Sequence, residues 1–207
     1  MDTVAFVKDR GWPGTDSRVY EIRVSNLVAM CVSCWVLLED GRFSGDVLPD
    51  EGLRERPYAG ALDVVSDVAR RHSVLFATSR ERDETDSLRW LHAYGLDATP
   101  NWNLDLCRDT YPETFEWTIR DSCRRDGSGI RFCHIWDKTF LDADLTIEDN
   151  PHTLDWLMDK GLRVLVKRHA YNLPQCERAE RSGLGLSFDD WTQVPALAKR
   201  LVKENAK

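Results

Sequence analysis

The stretch LTIEDNPHTLDWLMDKGLRVLVK, residues 145–167, holds a whole strand–helix–strand unit. Leu145 and Ile147 flank Thr146 ahead of the polar Glu148-Asp149-Asn150, which reads as a short strand with an acidic end. Asn150 can accept from the free amides of a first helical turn. Pro151 suits the first helical position, where its missing N–H is not needed. Leu154, Leu157 and Met158 fall on one helical face, Gly161 closes the helix, and Arg163–Lys167 (RVLVK) reads as the next strand. Two short strands joined through one helix predict a parallel crossover.

The same alternation extends in both directions. Ser73–Thr78 (SVLFAT) reads as a short buried strand. Before it, Pro57 to His72 carries Leu62, Val65, Val68 and Ala69 at helical spacing. After it, Asp86 to Tyr94 places Leu88, Leu91 and Tyr94 on one face, stopped by Gly95, and Phe115, Ile119 and Cys123 mark a third helix. Leu27–Val32 is apolar without helical period, which suits a buried strand, and Asp40-Gly41 and Ser44-Gly45 make residues 36–48 a candidate hairpin. Ser187 to Asn205 predicts a last helix with Val194, Leu197 and Leu201 inward and Pro195 in its first turn. Residues 1–25, with Gly11, Pro13 and Gly14, read as an N-terminal arm or edge strand. The expectation is an α/β protein: a Rossmann-like three-layer α/β/α domain over residues 26–207 around a mainly parallel sheet. In such sheets chemistry collects at the C-terminal ends of the strands.

Composition narrows the function classes. At 207 residues and 42% hydrophobic, the chain can build one core. The apolar-rich run Leu27–Leu38 covers about 12 residues, against the roughly 20 a spanning helix needs. The N-terminal MDTVAFVKDRGWPG has early charge and no apolar stretch, so no secretory leader and a cytoplasmic location are expected. With 28 basic and 35 acidic residues interleaved, the net charge of -7 argues against a duplex nucleic-acid partner. Eight Trp leave room for a protein partner or homo-oligomer, with Trp12 and Trp102 in loop-like stretches and the N-terminal arm as a contact element.

The six cysteines are Cys31, Cys34, Cys107, Cys123, Cys133 and Cys176, and free thiols are expected of all of them. Cys31-Val-Ser-Cys34 is a CxxC followed by Trp35 and Val36 rather than by a polar helical turn. It reads either as small hydrophobes in a core strand or as a thiol switch. Cys133 and His134 are adjacent, which is not zinc-ribbon spacing.

Three strand ends carry chemistry. Thr78, with Ser79 and Arg80, can bind a phosphate oxygen; the plain alternative is a capped strand–helix turn. Lys138 can neutralise a phosphoryl group; the alternative is a solvated surface lysine. Glu148 and Asp149 supply hard oxygens that suit Mg²⁺; the alternative is an acidic first helical turn that complements the dipole.

In this order, from about Leu27 to Asn172, the chain resembles the haloacid dehalogenase-like (HAD) hydrolase superfamily. VLFATSR is similar to the family's second motif, with Thr78 in the phosphate-binding position, and Lys138 matches the third-motif lysine. LTIEDNPHTLDWL resembles the fourth motif, which implies Mg²⁺ at Asp149 and Glu148. The later VLVKRHAYN, with Tyr171-Asn172, is similar to the end of the deoxyribonucleotidase-like (cytosolic 5′-nucleotidase type C) branch, which implies a nucleotide or other phosphomonoester ligand and no large cap domain.

The first motif departs from the family. The family's strand ends Asp-x-Asp-Gly, with nucleophile, acid/base and glycine in turn. Here the best register gives Cys31, Ser33 and Cys34. A second register, Leu38-Glu39-Asp40-Gly41, puts leucine at the nucleophile. A thiol is a poor Mg²⁺ ligand, and a serine hydroxyl titrates far from the pH at which it would have to donate. The resemblance therefore implies a catalytically impaired pseudoenzyme, with Mg²⁺ binding weakened or lost, in a binding or structural role. The alternatives are an active Mg²⁺-dependent phosphohydrolase and the Cys31/Cys34 thiol switch. Attack on phosphorus by Cys31 would need a nearby Arg, and none follows before Arg42.

Overall fold

Seven parallel strands form one sheet in a computed structural model that describes residues 29–33, 56–79, 84–116, 118–119, 129–141 and 143–203. The strands are β1 (Ala29–Ser33), β2 (Ser73–Thr78), β3 (Ala98–Asn103), β4 (Gly129–His134), β5 (Leu145–Glu148), β6 (Val164–Lys167) and β7 (Gly185–Phe188). The helices are α1 (Ala61–Ala69), α2 (Glu84–Ala93), α3 (Leu104–Thr110), α4 (Pro151–Asp159), α5 (Leu173–Ser182) and α6 (Val194–Lys203). The sheet order is β3-β4-β2-β1-β5-β6-β7, with every pairing parallel.

Alternation along the strands buries both faces. Val74 and Phe76 of β2, Phe132 of β4, Leu145 and Ile147 of β5 and Leu165 of β6 pack with α1, α2 and α6. On the opposite face Leu75, Ala77 and Cys133 pack with Leu104 and Ile119, while Val164 and Val166 pack with α4 and α5. This is the expected α/β architecture, a parallel sheet covered by helices on both sides. Among the described residues no helix is long and apolar enough to cross a membrane.

The strand–helix–strand unit forms as its sequence predicts. The Asn150 side chain accepts from the amides of His152 and Thr153, Pro151 opens α4, and Leu154, Leu157 and Met158 are buried. Pro195 is the second residue of α6, as expected of a first-turn proline. Elsewhere the structure corrects the expectation. The segment expected as one helix from Ser187 begins with β7, passes a 3₁₀ turn at Trp191–Gln193 and becomes helical at Val194. A capping box between Asp190 and Gln193 opens the 3₁₀ turn that leads into α6. Gly185 allows β7 to approach β6 closely, because a Cβ there would lie 2.6 Å from the Val164 carbonyl oxygen.

Strands β3, β4 and β7 and helices α3 and α5 also go beyond the expected order. Trp102 lies in β3, not in a loop. Its strand, ATPNWN, contains Pro100, which the fold tolerates because β3 is an edge strand and its register shifts between Thr99 and Asn101. Strand β4 escapes notice because Arg131 breaks its apolar run, yet that side chain is buried and donates to Ser73 Oγ on β2. Residues 1–25, the candidate hairpin at 36–48, Trp12, Cys34, Arg80 and Cys123 lie outside the described residues.

Candidate functional site

Chain order reverses direction across the sheet between β1 and β5. Strands β2, β4 and β3 lie to one side of β1, and β5, β6 and β7 to the other. The two connections diverging from such a point leave a crevice at the strand ends, where α/β proteins place ligands. Strand β1 therefore carries Cys31 and Ser33 in the middle of the sheet, with Ser33 level with Ala77 of β2 and Val32 level with Ile147 of β5. Thr78 ends β2, 1% exposed, and its carbonyl accepts from the Ile135 amide at 2.8 Å. Ser79 follows it, half-buried.

Lys138 sits in a 3₁₀ turn, Lys138–Phe140, just after β4. Asp137 caps that turn by accepting from the Thr139 amide. The Lys138 Nζ donates to Glu148 Oε2 at 2.6 Å. The pair ties the end of β4 to the end of β5, although β2 and β1 lie between them in the sheet. Glu148 is fully buried, and its Oε1 accepts from the amides of Asp149 at 2.9 Å and Asn150 at 3.1 Å. Burial by itself would raise the Glu148 carboxyl, but the Lys138 charge and these hydrogen bonds hold it below the usual carboxylate range. The plain alternatives therefore fail here: Lys138 is not a solvated surface lysine, and Glu148 lies at a strand end rather than in a helical turn.

Asp149 is treated differently. It is buried beside the Glu148 carboxylate, and these two causes push its carboxyl up to about 7, although the Tyr171 hydroxyl donates to Oδ2 at 2.6 Å. Asn172, fully buried, fixes the backbone behind it. Its Nδ2 donates to the carbonyls of Asp149 at 2.8 Å and Lys167 at 2.9 Å, and its Oδ1 accepts from the His169 amide at 2.9 Å. Tyr171-Asn172 thus closes on the acidic strand end from the loop after β6.

Mg²⁺ coordination was the expected use of the two carboxylates. Mg²⁺ takes an octahedron of oxygens, usually one or two carboxylates with waters and substrate oxygens. Glu148 already accepts three hydrogen bonds, one from Lys138 and two from backbone amides, so a metal there would compete with the ammonium for its oxygens. Asp149 is the carboxylate left over, and Cys31 brings no oxygen. Among the described residues no group of three or more His, Cys, Asp or Glu side chains is placed to hold a metal ion. Glu148 is thus committed largely to internal partners, which leaves Asp149 as the principal carboxylate for a cation at this strand end.

The sequence reading missed a second group at the same edge. Lys167, the last residue of β6, is 6% exposed, and its ammonium lies 4.6 Å from the centre of the Tyr58 ring. His169 and Tyr171 stack with centroids 4.9 Å apart and planes 7° apart, and Tyr58 stands 6.4 Å from His169. The signal was present in KRHAYN at a strand end, the same rule that drew attention to Glu148. Cys133 and Cys176 are buried free thiols and Cys107 is a half-buried one. Comparison with protein-family models, curated proteins and solved structures found no match.

Proposed function

We propose that this chain is a phosphatase-fold protein of the HAD type, near the deoxyribonucleotidase-like branch, whose hydrolytic site has lost its catalytic capacity and which acts through binding or as a structural element. The observation that carries the reading is the convergence of Thr78, Lys138, Glu148 and Asp149 on the strand ends beside β1, a strand that offers Cys31 and Ser33 where a nucleophile and an acid/base are needed. The Lys138–Glu148 pair supports it further, because a lysine neutralised by a buried carboxylate has little charge left for a transferring phosphoryl group. Mg²⁺ binding is weakened or lost on this reading, since Glu148 is already engaged.

The test compares the wild-type protein with the restored variant Cys31→Asp/Ser33→Asp/Cys34→Gly. Both are assayed with Mg²⁺ and a panel of nucleoside monophosphates. Turnover is expected only in the restored protein. Loss of a general acid/base alone costs about 10²–10⁴-fold. Robust turnover by the wild type that disappears in Asp149→Ala overturns the proposal.

A further inference from the structure

A buried ammonium ordinarily has a carboxylate against it, and among the described residues Lys167 has none. Its neighbours are the Tyr58 ring at 4.6 Å and the Phe188 ring at 6.0 Å. The acids that act on it from further away are Asp189, Asp149 and Asp190. Each has its own partner. Asp189 accepts from Arg168 at 3.0 Å, Asp190 from the Thr192 amide at 2.7 Å, and Asp149 from Tyr171 at 2.6 Å. Burial accordingly pushes the Lys167 ammonium down from its ordinary value. Cation–π attraction recovers less than the desolvation of a charge costs. An anion beside Lys167 would supply what the described residues do not.

The walls specify what carries that anion. Tyr58 is half-buried over the ammonium, and the stacked His169–Tyr171 pair leaves Tyr171 44% exposed. Planar aromatic surface next to a cation favours a flat ring bearing a negative group. We propose that Lys167, Tyr58 and the His169–Tyr171 stack form a binding site for a small oxyanion carried on a planar ring, such as an aryl phosphate or an aryl carboxylate. The site goes beyond the phosphatase-like reading; it shares the Tyr171 side chain with the Asp149 cluster and adjoins it through the backbone bonds of Asn172.

The experiment titrates the full-length protein by calorimetry with phenyl phosphate, benzoate, inorganic phosphate and phenol. Phenyl phosphate or benzoate is expected to bind, inorganic phosphate more weakly, and phenol not measurably. Lys167→Met keeps the apolar stem and removes the charge, and is expected to weaken the aryl anion about tenfold or more. Lys167→Arg retains binding. Tyr58→Leu keeps the charge and is expected to weaken phenyl phosphate while leaving inorganic phosphate unchanged. Binding of phenyl phosphate but not benzoate assigns the site to phosphate esters, and the reverse assigns it to carboxylates. No binding of either at millimolar concentration, or equal affinity in folded Lys167→Met, overturns the proposal, as does unchanged affinity in Tyr58→Leu. Turnover plays no part in these readouts, so failure here is separate from failure of the phosphatase-like reading.

Discussion

Two lysines at the same edge of the sheet are buried to nearly the same depth, Lys138 at 5% and Lys167 at 6% exposure, and the protein treats their charges in opposite ways. Lys138 meets a carboxylate at 2.6 Å, whose other oxygen is held by two amides. Lys167 meets aromatic rings and no carboxylate among the described residues. The difference teaches that burial alone does not define a lysine's role. A charge neutralised inside the fold ties elements together, whereas Lys167 meets only π faces close by among the described residues, which is the basis of the binding site proposed for it.

The sharpest way to break this comparison is to remove the charge at each site. Lys138→Met strands Glu148 as an unpaired buried carboxylate and should cost about 3–5 kcal/mol in urea unfolding. The double variant Lys138→Met/Glu148→Leu removes both charges and should recover much of that loss. If Lys138→Met costs no more than a surface change, the pair is not holding the strand ends together.

The pH dependence of stability separates the two carboxylates next. Glu148 has a lowered folded value, so its contribution is present above the unfolded carboxyl value and is lost as pH falls through the folded one. Asp149 runs the other way. Its folded carboxyl is raised to about 7 from 3.8, so in that window the folded state binds more protons than the unfolded state and stability falls as pH rises. Asp149→Asn should flatten this fall while leaving the acid-side loss from Glu148 in place, as read from urea midpoints across the range. An unchanged slope in Asp149→Asn would remove Asp149 as its source.

The smallest effect is expected at the second lysine. Lys167→Met gives up a cation–π contact and sheds a desolvation cost, so stability should change by less than about 1 kcal/mol. A loss as large as that of Lys138→Met would show that Lys167 has a structural role equal to the ion pair and would erase the contrast.

Much of the architecture was legible where strand and helix signals are local. Residues 73–78, 145–150 and 163–167 carry alternation, a cap and apolar runs in sequence, and each forms as read. The elements that escaped are those whose stability comes from neighbours. Strand β4 buries Arg131 against Ser73, β3 tolerates Pro100 at an edge, and α5 is polar along most of its length with only Cys176 and Ala179 buried. No local pattern marks such segments.

The candidate site divides in the same way. Thr78, Glu148 and Asp149 can be listed from strand ends, because the chain itself says where those strands stop, and Lys138 from its place ahead of the acidic strand end and its likeness to the third motif. By itself the sequence determined an alternating α/β chain with polar groups at those ends and no carboxylate at residues 31 or 33. Only the tertiary structure decided which groups meet. Lys138 follows β4 and Glu148 ends β5, with β2 and β1 between those strands, and Tyr171 reaches Asp149 from the loop after β6. Charge neutralisation depends on distances of a few ångströms, and those are set by sheet order, which no spacing along the chain contains.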